Sequence, residues 1–289
     1  MIVIFNPAAG RRRASALWRV LDLLSASGVR LELAETQYAG HATVLAREAV
    51  AAGVTLVVAA GGDGTIAEVA NGLAGSAARM GVIPLGTANV LAHELSLPFA
   101  PRAVAAALAF GRTCTLWPGI ASGPGMERLF VQMLGVGLDA QVVHELNLPM
   151  KRLIGKGAYV VQTMRELARY PYPMLRVRLD GVEVEAASVI VTKGRLYAGR
   201  FTLAPDADAT RPGFTVALFG HNGPLAAMMY GAALPLNLLA HAPGMIIRGA
   251  TVVDILGNGS VPAQADGDPA GMTPITVRDA TSAIEVVVG

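Results

Sequence analysis

The chain has 289 residues, 53% hydrophobic and only 15% charged, with a mean hydropathy of +0.49. That excludes a disordered chain or a charge-solvated coiled coil and leaves enough apolar material for one large or two modest domains. The 23 Lys and Arg against 21 Asp and Glu leave a net charge of +2, too balanced for general nucleic-acid binding.

Apolar Ile2–Phe5 opens the chain as a buried strand, with Arg11–Arg13 behind it. A secretory signal has the opposite order, so none is read here. A turn at Asn6-Pro7-Ala8-Ala9-Gly10 follows, then a helix over about 14–27 with Leu17, Val20, Leu21 and Leu24 at helical spacing. Leu31–Glu35 reads as a second strand and 40–52 as a second helix. Val54–Ala60 lacks polar alternation, as a strand covered on both faces does. A helix over 65–74, a strand over Met80–Pro84 and a helix over 87–95 complete a strand–helix alternation that predicts a parallel sheet.

Past about residue 115 the pattern becomes short strands between Gly, Pro and Asp turns: Leu175–Leu179, Val182–Val184, Ser188–Thr192, Phe214–Leu218, Thr251–Leu256 and Ile284–Val288. The expected fold is therefore an α/β domain with a parallel sheet over 1–118 and an antiparallel β domain over 119–289, with a helical insertion near 150–169. The apolar stretch Leu225–Ala240 is shorter than the roughly 20 residues of a membrane span and is broken by Pro235 and Asn237. It reads as a buried helix or loop. Cys114, the single cysteine, excludes an intramolecular disulfide, reads as a small buried residue and fits a reducing cytoplasmic setting. The five histidines lack zinc-site spacing.

The strongest local signal is Gly61-Gly62-Asp63-Gly64-Thr65, between a predicted strand and a predicted helix. Three glycines permit positive φ and close backbone approach. Thr65 and Glu68 have capping-box spacing, which predicts a helix start at Thr65. Free N–H groups at a helix N-terminus suit a phosphate. Asp63 would act through Mg²⁺ or an ordered polar network. The loop is neither a Walker A sequence nor a dinucleotide fingerprint. Asn6–Gly10 and Pro84-Leu85-Gly86-Thr87-Ala88-Asn89 end strands at the same predicted sheet edge, where ligands of open parallel sheets bind. There Thr87 would cap a helix and Asn89 would offer an amide.

Together, NPAAG (6–10), GGDGTIAEVANGL (61–73), PLGTANVLAHEL (84–95), LGVGLDAQV (134–142) and ADGD (265–268) resemble the diacylglycerol kinase catalytic-domain superfamily, especially its bacterial lipid kinases, relatives of sphingosine and ceramide kinases. The resemblance implies that 1–118 is an α/β nucleotide-binding domain holding ATP, that 119–289 is an antiparallel β-sandwich, and that the lipid lies in a cleft between the two. By position it makes Asn6, Gly10, Thr36, Gly61, Gly62, Asp63, Gly64, Thr65, Glu68, Thr87 and Asn89 nucleotide contacts. Asp63 and Asp139 belong to the Mg²⁺ and polar network, and Asp266 and Asp268 match the motif that supplies the general base. Which of these two is the base stays open, since they could share a face or diverge at a turn.

Two departures from the family pattern stand out. Asn89-Val90 replaces Asn-Asp. Pro212 stands where an Asp-Gly pair after a PxA motif would supply a structural Mg²⁺ ligand, unless Asp206 or Asp208 substitutes. Lys151, Arg152, Lys156, Arg165, Arg169, Arg176 and Arg178, interleaved with Leu153, Ile154, Tyr159, Val160 and Met164, suggest transient contact with an anionic membrane surface, at about 1 kcal/mol per basic residue. Met228, Met229, Tyr230 and Leu234–Leu239 are candidates for an acyl-chain cleft. The expected protein is a cytoplasmic, peripherally membrane-associated lipid kinase, with a homodimer compatible. The alternatives are an NAD kinase-like enzyme and a non-catalytic lipid- or nucleotide-binding module, separable by acceptor and by turnover.

Overall fold

A computed structural model describes residues 1–10, 14–145, 165–257 and 261–289. The chain divides into two compact units. One comprises Met1–Pro118, Ala198–Arg200 and Ala280–Gly289; the other comprises Gly119–Tyr197 and Phe201–Asp279.

In the first unit, chain order is β1 (Ile2–Phe5), α1 (Pro7–Gly10), α2 (Ala14–Ala26), β2 (Glu32–Glu35), α3 (His41–Ala51), β3 (Leu56–Gly61), α4 (Asp63–Leu73), β4 (Arg79–Pro84), α5 (Val90–Glu94), α6 (Pro101–Phe110) and β5 (Arg112–Leu116). The last strand of the chain, β20 (Ile284–Val288), joins them. The sheet order is β2-β1-β3-β4-β20-β5, with β1 to β4 parallel. All six residues of β3 are buried, because helices cover both sheet faces. Leu17, Val20, Leu21 and Leu24 of α2 bury the expected helical face against Val3 and Val58. Each such side chain contributes roughly 1.5–3 kcal/mol relative to exposure.

Ile284–Val288 corrects the sequence reading. It does not join the antiparallel strands of the second unit; it pairs parallel with β4 and antiparallel with β5. Its apolar run matches either kind of buried strand, so the choice is made by long-range pairing alone. Helix α6, Ala-rich with Pro101 in its first turn, adds an element that the strand–helix count omits. Cys114, on β5, is half-buried rather than buried.

The second unit contains β6 (Gly119–Gly123), β7 (Met126–Phe130), β8 (Met133–Val136), α7 (Leu138–His144), β9 (Leu175–Leu179), β10 (Val182–Ala186), β11 (Ser188–Thr192), β12 (Leu196–Tyr197), β13 (Phe201–Thr202) and β14 (Phe214–Phe219). It continues with α8 (Pro224–Ala233), β15 (Met245–Ala250), β16 (Val252–Leu256), β17 (Pro262–Ala265), β18 (Asp268–Met272) and β19 (Ile275–Asp279). Two six-stranded antiparallel sheets form, ordered β10-β9-β16-β19-β6-β7 and β15-β14-β11-β8-β17-β18. Val177, Val253 and Val277 of one sheet share a core with Leu134, Val189 and Val216 of the other. Along β9, Leu175, Val177 and Leu179 are buried while Arg176 and Arg178 are not, the alternation of a sheet with one dry face. Most of the predicted 150–169 insertion, with Lys151, Arg152 and Lys156, lies outside the described residues; residues 165–169 are helical.

Candidate active site

Three turns of the first unit meet at the carboxyl ends of β1, β3 and β4, whose parallel pairing places those ends side by side. Backbone bonds join them: Asn6 N–H donates to Ala60 O (3.1 Å), and the Leu85 and Gly86 N–H groups donate to Gly61 O (2.8 and 3.2 Å). Asn6 Nδ2 donates to Thr65 Oγ1 (3.1 Å), while Asn6 Oδ1 accepts from Ala8 N–H (2.9 Å). The NPAAG turn is thereby tied to the first turn of α4.

Glycine is required here by proximity. A Cβ on Gly86 would lie 2.5 Å from Gly62 Cα and 2.7 Å from Asn89 Oδ1. Gly62 itself is extended, at φ −96°, and none of Gly61, Gly62 and Gly64 has positive φ. The expected left-handed turn is not formed; what the sequence secures is a backbone crossing without side chains.

Two expected caps are also rearranged. Helix α4 begins at Asp63 without a side-chain cap, so Thr65 and Glu68 form no capping box. Glu68 instead accepts from Gly40 N–H (2.9 Å) and Ala42 N–H (3.0 Å), at the N-terminus of α3. It fixes the loop that carries Thr36, whose N–H donates to Phe5 O (2.9 Å). Likewise Thr87 is exposed and caps nothing; α5 starts only at Val90. Asp63 supplies that cap, its Oδ1 accepting from Val90 N–H (2.6 Å). Burial pushes the Asp63 carboxyl above its ordinary pKa, against the opposing pull of the Val90, Leu91 and Asn89 amides. Asn89 is left-handed (φ 49°) and donates from Nδ2 to Gly86 O (2.8 Å), while its buried Oδ1 has no partner among the described residues. Gly10 is the last residue of α1.

The second unit assembles two carboxylate centres. Asp139, in the first turn of α7, accepts from Tyr197 Oη at Oδ1 and from Gln264 Nε2 at Oδ2 (2.8 Å). Burial raises its pKa, against both hydrogen bonds. A Cβ on Gly135 would fall 2.6 Å from Asp139 Oδ2, so the glycine of LGVG is the sequence sign of this cluster. Tyr197 and Gln264 carry no such sign, and sequence reasoning missed both.

Asp266 lies in the hairpin turn between β17 and β18, and Asp268 is the first residue of β18. Asp266 (φ 50°) and Gly267 (φ 85°) are both left-handed, which gives the two-residue Asp-Gly loop that suits a twisted hairpin. Asp266 Oδ1 accepts from Gln132 and Met133 N–H (2.8 and 3.0 Å), and Oδ2 accepts from Val131 N–H (2.8 Å). Burial nevertheless pushes its pKa up to about 6, with the three amides and Arg128 opposing. Asp268 stands across the hairpin from Ala265, paired through Oδ2 with Arg128 (3.1 Å) and 41% exposed. The two aspartates are thus chemically unlike: Asp266 is an anchored carboxylate, Asp268 an accessible one.

Among the described residues, no group of three His, Cys, Asp or Glu could hold a metal ion. Large apolar side chains are exposed on one segment, Leu225 and Met228 on α8 with Leu236 and Leu238 just after it, while Tyr230 and Leu239 are buried. Among the described residues, no helix is long and apolar enough to cross a membrane.

Residues 1–116 match the diacylglycerol kinase catalytic domain, and residues 132–288 match the YegS C-terminal NAD kinase beta sandwich-like domain. A diacylglycerol kinase of Staphylococcus carnosus (strain TM300) is 27% identical over 98% of this chain and 93% of its own length. One of Bacillus subtilis (strain 168) is 32% identical over 71% of this chain and 68% of its own. A solved structure of a diacylglycerol kinase from Bacillus anthracis str. Sterne, 21% identical, covers 100% of this chain and 96% of that one with a TM-score of 0.77. It shares the fold.

Proposed function

The chain belongs to the diacylglycerol kinase family of lipid kinases, and on that premise we propose that it transfers the γ-phosphate of ATP to a hydroxyl of diacylglycerol or a related lipid. The observation that carries this reading is the side-chain-free crossing of Gly62 and Gly86 beside the N-terminus of α4, braced by Asn6–Thr65 and Asp63–Val90.

The Gly62–Thr65 amides bind the ATP phosphates at the positive end of the α4 dipole. Asn89 Oδ1, a buried acceptor without a partner among the described residues, takes a hydroxyl or amino group of the nucleotide. Asp63, partly exposed in the first turn of α4, is the carboxylate that would hold a Mg²⁺ ion accompanying ATP, which would supply positive charge against the phosphate oxygens. Asp139 has both oxygens engaged, so it is a positioning residue for Tyr197 and Gln264.

Asp268 is the general base. Its Oδ1 carries no hydrogen bond among the described residues, whereas Asp266 is saturated by three amides that hold the hairpin in place. Proton acceptance by such a group contributes typically 10²–10⁴-fold to rate. The exposed Leu225, Met228, Leu236 and Leu238 dip reversibly into a lipid surface, giving access to a substrate that water does not carry.

The test is a transfer assay with labelled ATP and Mg²⁺ against a panel of diacylglycerols, related hydroxy-lipids and NAD. The expected outcome is label in one or more lipids and none in NAD. Phosphorylation of NAD alone, or lipid binding without transfer, overturns the proposal.

A further inference from the structure

Buried charge demands partners, and one such group takes no part in the chemistry just described. Lys193 follows β11 and is 1% exposed. Its Nζ donates to Arg211 O (3.1 Å), Gly213 O (2.6 Å) and Asp279 Oδ1 (2.8 Å). An ammonium has three N–H donors, and here each meets one oxygen. The second Asp279 oxygen accepts from Gly213 N–H (2.6 Å), and Gly213 is left-handed at φ 88°, so its carbonyl and amide both face this centre. The Phe214 ring lies 4.6 Å from Nζ and adds a cation–π contact. Since β11 and β14 belong to one sheet and β19 to the other, the ammonium ties the two sheets together at one rim.

The loop that supplies these carbonyls is the run in which the family resemblance implies a structural Mg²⁺, and neither Pro212 nor Asp208 fits that ion. Pro212 has no carboxylate. Asp208 is committed to Thr210, at both N–H and Oγ1 (2.9 and 2.6 Å), and to Arg211 (3.2 Å). Mg²⁺ requires near-octahedral oxygens at about 2.0–2.1 Å; three acceptors at 2.6–3.1 Å around a nitrogen are an ammonium's shell.

We propose that this chain carries its structural cation covalently: the Lys193 ammonium occupies the place between loop 211–213 and Asp279 that a divalent ion would otherwise fill. Burial lowers the Lys193 pKa, and Asp279 first and then Asp208 oppose that fall. The second unit thereby folds without a bound metal at this rim.

The experiment follows amide hydrogen exchange of the segment 206–215 together with thermal unfolding, on the full chain without nucleotide or lipid. In the parent protein, both are expected to be the same in EDTA and in millimolar MgCl₂ or CaCl₂. Lys193→Ala is expected to unfold on the order of 10 °C lower, as loss of one member of a buried pair does, with exchange of the segment faster by about tenfold or more. Lys193→Ala combined with Pro212→Asp should recover protection only when the divalent ion is added. Protection of 206–215 in the parent that rises with metal or falls in EDTA overturns the proposal, and so does Lys193→Ala with parental stability and exchange. No readout involves phosphate transfer, so the outcome stands apart from the kinase reading.

Discussion

The two units reach polar function by opposite means. In the first, three turns at neighbouring strand ends offer backbone groups, and the decisive residue lacks a side chain: Gly86 passes Gly62 because it has no Cβ. In the second, carboxylates are held by groups distant in the chain. Asp139 meets Gln264 across 125 positions, Asp266 meets Val131 across 135, and Lys193 meets Asp279 across 86. A backbone-built site tolerates little added volume, whereas a carboxylate-built site answers to charge and proton.

The largest expected effect tests the carboxylate half of that contrast. Asp268→Asn should lower kcat by about 10²–10⁴-fold while leaving the unfolding temperature nearly unchanged, because the side chain is partly exposed and its ion pair with Arg128 is solvated. Steady-state kinetics beside calorimetry checks both halves. Unchanged kcat in a folded variant removes Asp268 as base.

Next in size is the backbone half. Gly86→Ala places a Cβ 2.5 Å from Gly62 Cα, and a backbone neighbour cannot rotate away as a side chain can. We expect a loss of about 3 kcal/mol in stability with a sharp rise in KM for ATP and a smaller change in KM for lipid. Denaturant unfolding and the two KM values measure it. A variant with parental KM for ATP would show that the crossing does not serve the nucleotide.

The same contrast explains how much could be read in advance. The first unit was legible because its determinants are contiguous: GGDGT ends a strand and opens a helix within five residues, and parallel pairing follows from alternation. Its errors were local rules overridden by tertiary partners. Glu68 left the capping box for the amides of Gly40 and Ala42, and Asp63 took over the cap assigned to Thr87. The second unit's strands were partly legible from alternation, as in β9. Tyr197, Gln264 and Lys193 were not, because a lone Tyr, Gln or Lys has no periodicity and its role exists only when strands far apart in sequence are paired. Ile284–Val288 failed in the same way, a sound strand whose sheet no local pattern specifies.

The smallest effect tests whether Asp266 is an anchor, through its proton. Its folded pKa, about 6, lies above the ordinary 3.8. Below the lower value both folded and unfolded chains hold the proton, and this group contributes nothing to pH dependence. Between the two values the folded state binds more protons, so stability attributable to Asp266 falls as pH rises, and the loss is complete above about pH 6. Asp266→Asn removes this titration. It also places an amide NH₂, which cannot accept, where one of the two carboxyl oxygens accepts from the three N–H donors. The variant should therefore be less stable than the parent at pH 4.5, and the stability difference between them should shift by about 2 kcal/mol in the variant's favour by pH 7. Denaturant unfolding of both proteins across that range reads the difference directly and cancels the other carboxylates. A difference that stays flat with pH would mean that the three amides hold the carboxylate ionised throughout, and that burial does not govern this side chain.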